Sequence, residues 1–151
     1  MRKEVVNERE LITEAAKVGI ERLVVGALLV RRSKILVLRR KSEEFMGGMF
    51  ELPSGKVEDG ETLKGALKRE VREETGLRIK TILDYLGSFD YQSGSGKPTR
   101  QFNFSAESFP GKLKLSPMEH DMYQWIGPQE VDGVNISDSV ATLLRAFWGT
   151  E

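Results

Sequence analysis

Residues 61–76, ETLKGALKREVREETG, constrain this chain more than any other stretch. Successive residues of an α-helix turn by about 100°. On that projection Leu63, Ala66, Leu67 and Val71 form one stripe, and Lys64, Lys68, Arg72 and Thr75 fall on the opposite side. Glu70 and Glu74 continue the apolar stripe at spacings where core residues belong, and Glu73 lies on its flank above Ala66. Carboxylates three and four residues apart are neighbours, and like charges there cost roughly 0.2–0.5 kcal/mol per pair even in water. Partial burial costs more unless a positive charge lies between them. Two readings compete. In one, the glutamates belong to a solvated face, Glu70 pairing with Lys64 or Arg69 and Glu73 with Arg69 or Arg72; for Glu73 alone this suffices. It explains badly why two carboxylates take the inward stripe while the bases take the outer one. In the other, the cluster holds a hard divalent cation such as Mg²⁺, which takes several oxygen ligands, a few carboxylates plus substrate phosphates.

The rest of the composition narrows the class. With 151 residues a single domain spanning 1–151 is expected, because domains cluster near ~100–150 residues. Lys+Arg 23 against Asp+Glu 23 leaves no net charge, which argues against attraction to a nucleic-acid polymer or an anionic membrane but leaves room for a local phosphate site. The absence of cysteine removes any disulfide, cysteine zinc site or thiol nucleophile. The start, MRKEVVNERE, shows no apolar signal core, and Leu23 to Val30 is too short to span a bilayer. A soluble cytoplasmic protein, monomer or homodimer, is expected.

Periodicity then orders the elements. Residues 8–18 predict a short helix ended by Gly19, and Arg22–Arg31 and Lys34–Arg39 predict a strand pair turning at Arg32-Ser33. A loop over 41–49 leads to a brief strand at Phe50-Glu51-Leu52 that Pro53 stops. Gly55 and Gly60 bracket a loop before the helix at 62–75, and Gly76 supplies its left-handed end. A strand over 77–91, bent around Asp84 to Gly87, pairs across the Ser93–Pro98 loop with 100–109. Lys112–Leu115 predicts a further short strand, 122–126 a final one, and 135–147 an amphipathic helix capped by Ser137 or Asp138. Strands interleaved with helices imply a mixed sheet covered on both sides.

From Gly55 to Leu77 the sequence GKVEDGETLKGALKREVREETGL resembles the Nudix box, G-x5-E-x7-R-E-U-x-E-E-x-G-U with U aliphatic. Gly55, Glu61, Arg69, Glu70, Val71, Glu73, Glu74, Gly76 and Leu77 fill every specified position. Seven of these demand one residue type at ~5–8% background usage, so chance agreement is below roughly one in 10⁷ per starting position. The resemblance implies an α/β/α sandwich with a mixed β-sheet, the Nudix-type α/β fold, the box forming loop–helix–loop. It implies Mg²⁺- or Mn²⁺-dependent hydrolysis of a nucleoside diphosphate linked to another moiety. By position, Glu70, Glu73, Glu74 and the backbone carbonyl of Ser54, where glycine is usual, would hold metal. Arg69 would orient the glutamates, Glu61 would brace the loop, and Gly55, Gly60 and Gly76 would permit its turns. Glu119, in Ser116–Asp121, is the candidate general base, with Asp121 or Glu61 behind it.

Other signals are weaker. His120, the one histidine, is a candidate contact for phosphate or base, although a lone histidine is more often structural. Arg39 and Arg40 end a strand near the site and are candidate phosphate ligands. Phe45, Tyr91, Phe102 and Phe104 could stack on a nucleobase, yet alternating strand aromatics are more often core. Lys97 and Arg100 flank a loop that could close over an anion; Trp125 and Trp148 read as packing. The main functional reading resembles MutT-type enzymes: a nucleoside triphosphate, oxidised or not, cleaved to monophosphate and pyrophosphate. The alternatives are hydrolysis of ADP-ribose, a nucleotide sugar or a dinucleoside polyphosphate, and a nucleotide sensor that does not cleave. An intact box argues against the sensor, and the lack of cysteine against a prenyl diphosphate isomerase on this fold.

Overall fold

A computed structural model describes residues 6–43 and 46–149. In chain order they form α1 (Glu8–Lys17), β1 (Arg22–Arg31), β2 (Lys34–Arg40), β3 (Phe50–Glu51), β4 (Ser54–Lys56), α2 (Leu63–Thr75), β5 (Ile79–Gln92), β6 (Pro98–Ser108), β7 (His120–Ile126), a 3₁₀ turn (Pro128–Gly133) and α3 (Asp138–Trp148). β1 is the axis of the seven-stranded sheet. It runs parallel to β6 from Arg22–Thr99 to Leu29–Ala106. Its other edge is divided: β4 pairs with Val24–Gly26, and β2 pairs with Val30–Arg31, both antiparallel. Arg32 and Ser33 both take positive φ, 50° and 67°, as a two-residue turn matching strand twist requires. β2 carries β3 on one edge and β7 on the other. β5 lies antiparallel to β6 with register shifts on either side of Tyr85, where the sequence predicts a bend.

Two apolar clusters cover the faces. Leu63, Ala66, Leu67 and Val71 of α2 pack with Val25, Ala27, Leu29, Phe102 and Phe104, joined by Ala15 of α1. Val140, Ala141 and Leu144 of α3 pack with Leu28, Ile35, Val37 and Ile126 on the opposite face. Fully burying each leucine or phenylalanine contributes about 1.5–3 kcal/mol, so the stripe on α2 holds that helix firmly to the sheet. The result is the mixed α/β/α sandwich that the box implies.

Three local expectations need correction. Lys112–Leu115 is not a strand: the Lys114 N–H donates to the Thr75 carbonyl at 2.8 Å and the Ser116 N–H to that of Glu74 at 3.3 Å. The segment's donors satisfy the open end of α2 instead of a sheet edge. Residues 54–56 form β4 rather than a loop, because they find a partner in β1 that lies far away in sequence. Consequently Gly55 makes no turn, whereas Gly60 (φ +83°) and Gly76 (φ +72°) do. α3 starts at Asp138 with Ser137 as its cap, and the residues before it include the 3₁₀ turn.

Candidate active site

The inward stripe of α2 carries Glu70 and Glu74 to β4 and to the wall of a cavity. Glu74 is only 4% exposed. Its Oε1 accepts the Ser54 N–H at 2.8 Å. Gly55 makes room for Glu70: a Cβ there would stand 2.0 Å from Glu70 Cδ. That glycine is required for close approach, not for backbone freedom. Glu73 projects outward with its side chain 59% exposed, as its flank position predicts.

Arg69 organises this cluster. Its Nε and Nη2 donate to the two carboxylate oxygens of Glu61 at 2.7 and 2.8 Å, a bidentate pair. Nη1 donates to Glu70 at 2.7 Å and Glu73 at 3.2 Å, and Nη2 also reaches the Lys56 carbonyl at 3.0 Å. The Arg69 hydrogen bonds, followed by the Glu58 N–H, draw the Glu61 carboxyl down to about 2. Glu74 goes the other way. Burial pushes it up to about 10, with neighbouring Glu51 and Glu119 adding to the rise against the Ser54 N–H. Burial also raises Glu70, which Arg69 partly offsets.

β2 and β7 supply a second set of residues. His120 is buried, and its Nε2 lies 2.8 Å from Glu51 Oε2. The same Glu51 oxygen accepts from Arg40 Nη1 at 3.0 Å. Glu119, exposed, lies beside Glu74 and helps to raise its carboxyl. Ligand atoms of Glu74, Glu119 and His120 lie within 4.8 Å of one another. The cavity, about 560 Å³, is lined by Glu70, Glu74 and Glu119, by the aromatic rings of Phe50, Phe89 and Tyr91, and by Arg22, Arg40 and Lys56. Carboxylates beside bases and flat rings suit a metal-bound phosphate chain with a planar group attached.

The structure thus brings together Glu70, Glu74, Glu119, Ser54, Arg40 and Tyr91 around one space. Arg39 is instead bonded to Asp121 at 2.8 Å, which also engages the carboxylate considered as a reserve base. Glu61, the other reserve, is held by Arg69. Phe102 and Phe104 belong to the core, and Arg100 is clamped to Asp90. Phe45 lies outside the described residues. Trp125 stacks with Arg31, 4.4 Å from its guanidinium, and Trp148 donates to the Ser33 carbonyl, so both serve packing. Sequence reading missed Glu51, Arg22 and Phe89. Only Glu51 left a trace, an acid between apolar Phe50 and Leu52 on a two-sided strand.

With this geometry in view, the relatives are informative. The model of the NUDIX domain matches residues 21–144. The chain is 32% identical over 124 residues to the CTP pyrophosphohydrolase of Escherichia coli (strain K12), covering 82% of this chain and 89% of that one. The solution structure of the E. coli ORF135 protein superposes with a TM-score of 0.73 at 30% identity, covering 88% of this chain and 92% of that one. The MutT protein from Methanosarcina mazei Go1 gives 0.75 at 28% identity, with 83% and 91% covered. The chain belongs to the NUDIX domain family, and it is a hydrolase of that family.

Proposed function

We propose that this protein is a divalent-metal-dependent pyrophosphohydrolase that cleaves a nucleoside triphosphate to monophosphate and pyrophosphate. The observation that carries the reading is Glu74, a buried carboxylate at the cavity wall whose neighbours include two further carboxylates, Glu51 and Glu119. Such a group is stable as an anion only beside a cation. Glu70, Glu73, Glu74 and the Ser54 carbonyl would hold Mg²⁺ or Mn²⁺, and the oxygen-rich donor set fits a hard ion. Bound there, such an ion supplies neutralisation of phosphate charge and acidification of water. Arg69 keeps Glu70 and Glu73 oriented, and the Glu61 clamp keeps Arg69 in place. Arg22, Arg40 and Lys56 line the path open to phosphates, while Phe50 and Tyr91 offer faces for a base. Glu119, beside Glu74 and open to solvent, takes the proton from the attacking water.

Similarity to the CTP pyrophosphohydrolase over most of both chains supports a triphosphate, and a pyrimidine one first. The test is a panel of nucleoside triphosphates, ADP-ribose, nucleotide sugars and dinucleoside polyphosphates with Mg²⁺, scored separately for phosphate and pyrophosphate. Pyrophosphate from triphosphates is expected. Turnover confined to ADP-ribose, sugars or dinucleotides would move the substrate class, and none at all would leave a sensor. In the same assay Glu119→Gln should depress kcat far more than KM, since proton removal belongs to the transition state.

A further inference from the structure

We propose that His120, Glu119 and Glu74 form a binding position for a borderline transition-metal ion, with His120 Nδ1 as its nitrogen ligand. This extends the metal reading of the α2 carboxylates and rests on it. His120 Nδ1 is the only buried side-chain polar atom without a hydrogen-bond partner among the described residues. Buried polar groups are nearly always paired, and an orphan calls for an explanation such as an ion. The rest of the ring is well tied. Its side chain is fully buried, Nε2 bonds Glu51 at 2.8 Å, and Glu51 is steadied in turn by Arg40. A carboxylate only accepts, so Nε2 is the donor, and in the neutral ring the lone pair belongs to Nδ1.

That arrangement is the one metal-binding histidines adopt: one ring nitrogen on a carboxylate, fixing the tautomer, and the other on the metal. Oxygen partners are close by: Glu74, Glu119 and the His120 ring each bring one ligand atom within 4.8 Å of the others. The backbone fixes the ring as well. The His120 N–H donates to the Ser116 carbonyl at 3.1 Å, and the residue opens β7 opposite Arg40, where the register shifts. One nitrogen and two carboxylates suit Zn²⁺, Co²⁺ or Mn²⁺, whereas Mg²⁺ takes oxygen alone. Each carboxylate has a second oxygen, so ligation leaves Glu119 able to face water.

Because His120 is the sole histidine, its imidazole nitrogens give unambiguous NMR signals in the untagged full chain. Zn²⁺ should move the Nδ1 resonance and leave Nε2 protonated, while saturating Mg²⁺ moves neither. His120→Gln should weaken Zn²⁺ binding by at least about tenfold and leave Mg²⁺ affinity within about threefold, below the tenfold that 1.4 kcal/mol represents. A Zn²⁺ titration that leaves Nδ1 unmoved, or equal losses for the two ions in a folded variant, would overturn the site. If the variant does not fold, the wild-type spectrum decides. Mg²⁺ affinity unchanged in Glu70→Gln would overturn the separate reading of α2 on which this one rests.

Discussion

Glu74 shows how one side chain ties stability to chemistry. Its folded-state carboxyl sits near 10 against an ordinary 4.5. Between those values the native chain keeps a proton that the unfolded chain releases, so stability is full below 4.5 and is lost as pH rises toward 10. Glu70, also raised, acts in the same direction. Glu61, held near 2, acts in the opposite one, but its share is lost only as pH falls from 4.5 toward 2. In chelator, the melting temperature should therefore fall from about pH 5 to about pH 9, and Glu74→Gln should flatten that slope while removing most turnover. A metal-free melting temperature that climbs over this range would contradict the assignment. The inward place of Glu74 was legible from helical periodicity, which is a local property. Its partners were not, because Ser54, Glu51 and Glu119 reach it only through sheet pairing. Gly55 was legible as an invariant of the motif but not in its role, since the space a Cβ would fill belongs to another element.

At the scale of elements, α2 is held at both ends by different means. Thr62 caps its start, accepting the Gly65 N–H at 2.9 Å, and Gly76 closes it in the left-handed conformation. Its first turn has no acidic residue of its own. The Glu8 carboxylate of α1 fills that place from outside, accepting the Leu63 N–H at 2.6 Å. A negative group there satisfies an open amide and opposes the positive end of the helix dipole. Glu8→Ala should destabilise the protein by about 1 kcal/mol, lowering the melting temperature by roughly 2–4 °C. Glu8→Gln, which keeps an acceptor and loses the charge, should lose less. Equal melting temperatures for wild type and Glu8→Ala would show that the Glu8 contact does not hold the start of α2. The end of α2 at Gly76 could be read from neighbours in sequence, and so could the Arg32-Ser33 turn, whereas Thr62, expected inside the helix, is its cap. Glu8 could not: it lies 55 residues from its partner. The same distance effect hid β4, whose short Ser-Gly-Lys run has little strand preference and pairs because β1 is there. Lys112–Leu115 misled in the opposite way, alternating like a strand while its amides serve the end of α2.

For the molecule as a whole, the site is assembled from parts that share no local sequence: α2, the β3–β4 approach, and the β2–β7 pair. An ion bound there therefore has no equal in the unfolded chain, where the carboxylates are not gathered. Any ligand selective for the native state stabilises it by mass action, by about 2.7 kcal/mol at a hundredfold excess over Kd. In a chain of this size that corresponds to a rise of roughly 5–10 °C. Without an ion, Glu74 beside Glu51 and Glu119 holds its proton; a cation displaces that proton and sets attraction in place of the like-charge cost of ionising it. Millimolar Mg²⁺ or Mn²⁺ should raise the melting temperature, and a non-hydrolysable nucleotide should enlarge the rise because its phosphates complete the coordination shell. The control is the Glu70→Gln, Glu74→Gln double variant, melted with and without the ions at constant ionic strength. It should lose most of the rise while its metal-free form melts no lower than wild type. If the double variant gains as much as wild type, the ions act as general salt, and the inward glutamates of α2 are left as inward-facing acids without a function.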